Sequence, residues 1–387
     1  MTWDLDPTNV GTGLPLEGLR VLDLSRVLAG PLCAMIAGDL GADVIKVESP
    51  EGDPVRSLAP PRLGGDATYY LAVNRHRRNV VANLRDAEDF ARVADLVKLA
   101  DAVIENYLPS QVRTLGIDRL REVNPDCVWV SITPATVGGP LADQPSFDLL
   151  AQARSGLMGV TGDVGAPSKV GAPVADVVTG LYGAVGLLSG LLAKARGRAG
   201  RHFEAPLLES AMSALINQAQ SFLSTNVNPP RMGNDHPSIT PYGPVTTADG
   251  FLLLAVGTDA QFAKLVDALD DAGLTGESEW ATNDERVRAR DELADVLDRI
   301  FVLHDTAYWL RALERSGVPH APILDVEGAF AQDQITFGDF VGTMSTPSGE
   351  TRVMRTPLLI DGRRPSIRRG PRALGQDTEE IFGSDVN

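Results

Sequence analysis

The sequence predicts an α/β protein: a large doubly wound, Rossmann-like domain without a dinucleotide fingerprint, joined to a smaller α+β domain. Three observations carry the prediction. From Leu19 onward, short apolar runs alternate with helical patterns, the signature of a mostly parallel sheet with crossover helices. A Pro/Gly/Asn-rich stretch, Asn226–Pro244, then interrupts the chain and charged amphipathic helices follow it. Finally, 387 residues exceed the usual size of one domain.

The elements follow in order. VLDL (Val21–Leu24) is a strand, Pro31–Leu40 a helix and VIKVE (Val44–Glu48) a second strand, giving a βαβ opening. A strand is expected near Asn79–Leu84, a helix from Asp86 and strands at Ala102–Asn106 and Cys127–Ile132. Two long helices follow, one spanning the apolar run after Asp176 and one at Leu207–Thr225. In the smaller domain, Phe251–Val256 is a strand and Ala260–Ala272, Asp284–Leu303 and Thr306–Ser316 are helices. Strand patterns return after Phe337, and DTEEIF closes the chain as a short helix. The domains are therefore expected at 1–225, 226–331 and 332–387, the last returning to the large domain.

Composition limits the function. Lys and Arg number 35 against 51 Asp and Glu, a net charge of −16, which disfavours nucleic-acid and anionic-membrane surfaces. Cys33 and Cys127 sit in apolar runs as expected thiols, and the N-terminus lacks a basic segment followed by an apolar core. Both features fit a cytoplasmic protein without a signal peptide. The apolar run Val177–Ala193 is at the short edge of what spans a bilayer and is punctuated by glycines, so it reads as a buried core helix. His76, His202, His236, His304 and His320 are scattered without metal-ligand spacing, and no metal is expected. The first turn, SRVLAGPL, lacks G-x-G-x-x-G, which argues against a nicotinamide cofactor.

Asp176 is the candidate nucleophile. It opens the helix VADVVTGLYGAVGLLSGLLAKA, and Gly180, Gly183, Gly186 and Gly190 share its face at 3.6 residues per turn, allowing another backbone to approach. A carboxylate in a first helical turn is favoured as the anion by free N–H groups and the macrodipole. The competing reading is that Asp176 simply caps the helix.

Several segments, taken together and in order, resemble the family III CoA-transferases (the CaiB/BaiF family, with formyl-CoA:oxalate and carnitine CoA-transferases and 2-methylacyl-CoA racemases). They are Leu16–Pro31, Leu40–Arg56, Asn74–Leu84 (NRHRRNVVANL), Asp101–Pro109 (DAVIENYLP), Phe147–Gly162, the Asp176 helix, Thr240–Gly250 and Gly317–Phe330. The resemblance implies an enzyme that moves CoA from an acyl-CoA thioester to a free carboxylic acid, with Asp176 forming first an acyl anhydride and then an aspartyl-CoA thioester. It implies CoA contacts from Leu28, Ala29, Arg56, Asn74, Arg75, Arg77, Arg78 and Asn106, and an interlinked homodimer. It also makes Arg231–Ile239 (RMGNDHPSI) a candidate water-excluding flap, with an interdomain linker as the plain alternative.

Some positions depart from the pattern. Ser49 and Leu108 stand where certain relatives place basic CoA contacts, and TPATVGGP (Thr133–Pro140) replaces the usual glycine-rich stretch. A racemase of this family pairs its aspartate with a histidine, where this chain has Phe147 in SFDLLA; a second base for α-proton removal is therefore missing. A non-catalytic acyl-CoA-binding protein is the other alternative. The arginine-rich Arg363–Arg372 lacks interleaved aromatics and is expected to be a surface turn or a subunit contact rather than a nucleic-acid tail.

Overall fold

A computed structural model of the chain describes residues 2–269, 274 and 280–383. Its centre is a six-stranded parallel sheet: β1 (Arg20–Asp23), β2 (Asp43–Glu48), β3 (Arg77–Val81), β4 (Ala102–Glu105), β5 (Val128–Thr133) and β6 (His202–Pro206). In space the order is β6-β5-β4-β1-β2-β3. Every residue of β2, β4 and β5 is buried, as expected for strands covered on both faces.

Helices cover those faces. On one side α1 (Ala29–Asp39) packs on Val21, Val44, Ile104 and Val130 through Cys33, Ala34 and Ala37. On the other, α3 (Ala87–Leu99), α4 (Pro109–Leu115) and α5 (Ile117–Val123) form the connections around β4, while α2 (Thr68–Val73), which precedes β3, contacts α1. Val93, Leu96, Ile117 and Leu120 meet Leu22, Ile45, Val103 and Trp129 there. Asp86 caps α3 by accepting the N–H groups of Glu88 and Asp89. Between β5 and β6 run α6 (Asp148–Ser155) and the long α7 (Val174–Ala195); α8 (Leu207–Ser213) and α9 (Ile216–Thr225) follow β6.

The glycine face of α7 has a specific use. A Cβ on Gly180 would lie 2.8 Å from the carbonyl oxygen of Ala29, and one on Gly190 would lie 2.4 Å from Val128 Cγ1. Only glycine lets α7 lie this close to α1 and to β5. By length and composition α7 could cross a membrane, yet half of its apolar window is buried inside the protein.

The chain divides into two compact units. The first runs up to Met158, resumes at Lys169–Val227 and takes in the chain from Asp333; the second comprises Gly159–Ser168 and Asn228–Gln332. The second unit contains an antiparallel sheet of β7 (Tyr242–Thr246), β8 (Phe251–Ala255) and β9 (His320–Pro322). Against it lie α10 (Asp259–Leu269), α11 (Arg290–Phe301) and α12 (Thr306–Ser316), around Leu252, Leu254, Phe262, Phe301 and Trp309. In the first unit, β10 (Val341–Thr346) and β11 (Gly349–Met354) form a hairpin.

Several expectations need correction. The predicted helix Leu207–Thr225 is two helices, because Ala214 and Leu215 N–H groups bond back only three residues and Ile216 turns to φ 34°. The predicted helix Asp284–Leu303 breaks at Ala289 into Asn283–Arg288 and α11. The end of the predicted helix Ala260–Ala272 lies outside the described residues. The short hairpin of Gly162–Asp163 with Ala166–Pro167 belongs to the second unit, not to its sequence neighbours. Arg231 donates to the carbonyls of Asp163 and Gly159, and the Gly233 N–H donates to that of Gly162. The flap candidate Arg231–Ile239 is thus tied to this hairpin.

Candidate active site

The strand order reverses direction between β1 and β4, where the connections leave to opposite sides. In open α/β sheets such a switch point, at the carboxyl ends of the strands, is where ligands bind. A cleft of about 330 Å³ lies there. The loop after β1 contributes Arg26 to Ala29, the loop after β4 contributes Asn106 and Leu108, β5 contributes Ile132 and Thr133, and Asp176 reaches in from α7.

The β1 loop is held from several directions. Asn106 accepts the Arg26 N–H through Oδ1 (2.9 Å) and donates Nδ2 to the Arg26 carbonyl (2.7 Å), which ties the two sides of the switch point together. Val27 adopts φ 69°, an uncommon conformation for a β-branched residue. Its N–H donates to both carboxylate oxygens of Asp53, at 3.1 and 3.2 Å. Asp53 in turn pairs with the buried Lys46 at 3.0 Å, and Lys46 donates to the Ser25 carbonyl at 2.8 Å. The loop therefore reaches α1 in one conformation, with Leu28 and Ala29 lining the cleft.

Asp176 is the third residue of α7 and does not cap it. Pro173 supplies no capping side chain, and the Ala175 N–H donates instead to Asp148 Oδ1 of α6 at 2.9 Å. This answers the capping alternative. It also corrects the expected ionisation: burial, followed by the nearby Asp148 charge, pushes the Asp176 carboxyl up to about 7. Desolvation and like charge outweigh the helix dipole. Tyr69 of α2 feels the same carboxylates; burial first, then Asp176 and Asp148, push its hydroxyl up to about 12.

The structure brings together Leu28, Ala29, Asn106 and Asp176, and separates the other expected CoA contacts from the cleft. Arg75, Arg77 and Arg78 are 3%, 2% and 5% exposed, so their charges are used within the fold. Arg75 forms a two-point pair with Asp39 (2.7 and 2.6 Å) and donates to the Met354 carbonyl. Arg77 pairs with Asp23 at 3.2 Å and also donates to Asn74 Oδ1 and the Pro31 carbonyl. Arg78 pairs with Asp43 at 2.7 Å. Asn74 is buried and donates to the Tyr70 carbonyl. Arg56 lies over the Tyr70 ring and makes two 2.8 Å bonds to Glu48. Burial raises the Glu48 carboxyl, but the Arg56 hydrogen bonds, with Lys46 nearby, bring it down to about 2.

These side chains are buried because the C-terminal segment packs back over them. The His76 N–H donates to the Arg369 carbonyl, Asn79 N–H to Asp377 and Val81 N–H to Thr378. The Arg363–Arg372 run is part of that packing: Arg368 donates to Asn9, Arg369 pairs with Asp6 and Arg372 with Asp377. A larger cavity of about 480 Å³ beside Arg368–Arg372 contains none of the Asp176 cleft residues.

The basic residue in the cleft is one that the sequence reading passed over. Arg26 lines it with its guanidinium 4.9 Å from the centre of the Tyr107 ring. Arg26 and Gln111 also line an adjoining 180 Å³ cleft with Ser49 and Arg85. Arg26 stands two residues before Leu28 in a segment already singled out, so its position just past a strand end was the available signal. Among the described residues, no cluster of three or more His, Cys, Asp or Glu side chains is placed to hold a metal.

The chain matches CoA-transferase family III over residues 16–378. It is 36% identical to the succinyl-CoA:glutarate CoA-transferase of Homo sapiens, over 95% of this chain and 85% of that one. It is also 36% identical to the succinate–glutarate CoA-transferase of Agrobacterium fabrum, covering 95% of each chain. The crystal structure of a CaiB/BaiF family protein from Brucella suis superposes with a TM-score of 0.85 at 35% identity, over 95% of this chain and 98% of that one. A mixed α/β fold around a parallel sheet, with a carboxylate in a cleft at its switch point, thus accompanies sequence identity along nearly the whole length: the chain is an enzyme of CoA-transferase family III.

Proposed function

We propose that the protein transfers CoA from an acyl-CoA thioester to a free carboxylic acid through covalent intermediates on Asp176. One observation carries the reading: Asp176 is the carboxylate that lines the switch-point cleft, made basic by burial and by Asp148. An oxygen of Asp176 attacks the thioester carbonyl; the C–O bond forms, the C–S bond breaks, and an acyl aspartyl anhydride and CoA thiolate result. The thiolate attacks the aspartyl carbonyl, releasing the donor carboxylate and leaving an aspartyl-CoA thioester. The acceptor carboxylate attacks this thioester, expelling the thiolate and forming a second anhydride. The thiolate then takes the acceptor acyl group and frees Asp176. No step needs an outside proton or a metal, and covalent catalysis divides the exchange into steps of similar chemistry.

Leu28, Ala29, Asn106 and Arg26 are the proposed contacts for the acyl-CoA. The names of the human and Agrobacterium fabrum relatives favour succinyl-CoA as donor and glutarate as acceptor. Phe147 lines the cleft where a racemase would need a base. Arg231–Ile239 is the proposed water-excluding segment. A homodimer is part of the same reading, supported by exposed apolar side chains on α7 and α9: Leu181, Tyr182, Val185, Ile216 and Leu223. The buried thiols Cys33 and Cys127 suit a reducing, cytoplasmic setting. The test is to mix the protein with succinyl-CoA and glutarate and follow glutaryl-CoA. Formation by the wild type and its loss in Asp176→Asn support the proposal; transfer that survives the substitution refutes it.

A further inference from the structure

The proposed reaction leaves one half-buried polar arrangement unused. Asp148, the first residue of α6, takes the Ala175 N–H on Oδ1 at 2.9 Å and the Gln152 amide on Oδ2 at 2.7 Å. Gln152 is fully buried, and its Oε1 accepts the Val170 N–H at 2.8 Å. Two side chains one turn apart on α6 therefore grip the chain at Val170 and Ala175, the two ends of the segment that delivers Asp176. Pro173 cannot cap α7, so Asp148 supplies the acceptor that the first turn lacks.

We propose that Asp148 is the positioning residue for the Asp176 carboxylate, fixing the entrance of α7 through the Ala175 N–H while its own charge faces the nucleophile. The inference rests on Asp176 being that nucleophile. The other charged or titratable groups around Asp176 are Tyr69 of α2, which also feels Asp53 beside the β1 loop, and Arg26 of that loop, which lines the same cleft.

Two consequences follow from the charge. A carboxylate beside another anion is more basic, hence a stronger nucleophile toward a thioester. Acylation also removes the Asp176 charge, so Asp176 and the neighbouring Asp148 together carry two negative charges before the first step and one after it. A free acceptor acid, itself an anion, is repelled by the resting enzyme and admitted once Asp176 is held as the neutral aspartyl-CoA thioester. Asp148 thereby favours donor before acceptor and limits dead-end binding of the acid.

The test compares Asp148→Asn, which keeps an oxygen for the Ala175 N–H but removes the charge, with Asp148→Ala, which removes both. The Asp176 titration is read by infrared difference spectroscopy of the carboxyl stretch, with Asp176→Asn identifying the band. The midpoint is expected to fall by at least about half a pH unit in Asp148→Asn, a shift of roughly threefold in protonation equilibrium. Inhibition of succinyl-CoA-dependent acylation by free glutarate is expected to strengthen severalfold in the same variant. Asp148→Ala is expected to slow acylation by about tenfold or more at unchanged KM for the thioester. An unchanged Asp176 midpoint in Asp148→Asn overturns the proposal, whether or not Asp148→Ala folds. Failure of the underlying reading gives a different result, absence of any succinyl-CoA adduct on wild-type Asp176.

Discussion

Gly180 of α7 faces the Ala29 carbonyl so closely that a Cβ would stand 2.8 Å from that oxygen. This contact lays the second turn of α7 beside the N-terminus of α1 and, with Asp176 one turn earlier, brings Asp176 and Ala29 into one cleft. Gly180→Leu is therefore expected to push α7 away from α1 at an overpacking cost of about 1–3 kcal/mol. CoA transfer should fall by about tenfold or more, with a lowered melting temperature. Normal transfer by a folded Gly180→Leu protein would show that the close approach is unnecessary.

Asp176 also makes a prediction about pH. Its folded-state carboxyl is raised to about 7 from 3.8, and the attacking form is the anion. The acylation rate should therefore rise with pH through a midpoint near 7 and level off above it. A rate already flat from pH 5 upward would contradict the raised value.

The same shift sets a stability difference. Between pH 3.8 and about 7 the folded protein increasingly holds a proton on Asp176 that the unfolded chain has released. Folding is thus penalised as pH rises, fully so above about 7, and the penalty disappears below the unfolded value. Asp176→Asn should stabilise the protein at pH 8 by on the order of 1–3 kcal/mol and have little effect near pH 3.5. Denaturant unfolding at both pH values measures this; destabilisation at pH 8 would count against it.

Arg26 and Arg75 should behave in opposite ways. Arg26→Ala is expected to raise the KM for acyl-CoA by about 10-fold or more, the loss of a charge-assisted contact, with little effect on unfolding. Arg75→Met should leave the buried Asp39 with His76 as its remaining partner and cost about 3 kcal/mol of stability, while the folded enzyme keeps its KM. Steady-state kinetics and denaturant unfolding on both variants separate the roles.

Much of this architecture was legible because it is local. β2, β4 and β5 are continuous Val/Ile-rich runs, Asp86 is a capping residue directly before α3, and the glycine face of α7 announces a close approach. The pairing of the Arg75–Arg78 cluster within the fold was hidden because its surroundings are distant in sequence. Asp39 and Asp43 approach from α1 and β2, and the segment around Arg369–Thr378 closes over β3. Three nearby arginines have the pattern of a solvated turn until those segments arrive. The Asp148–Ala175 bond was equally hidden, since nothing local marks an acidic residue in one helix as the cap of another. The break before Ile216 carries no glycine or proline and shows only in the backbone.

The most direct measurement is the mass of the Asp176 peptide after the protein is mixed with succinyl-CoA without acceptor and trapped with hydroxylamine. Covalent chemistry on Asp176 predicts a hydroxamate at that residue in the wild type and none in Asp176→Asn. An unmodified Asp176 in an enzyme that still converts succinyl-CoA and glutarate to glutaryl-CoA would contradict it.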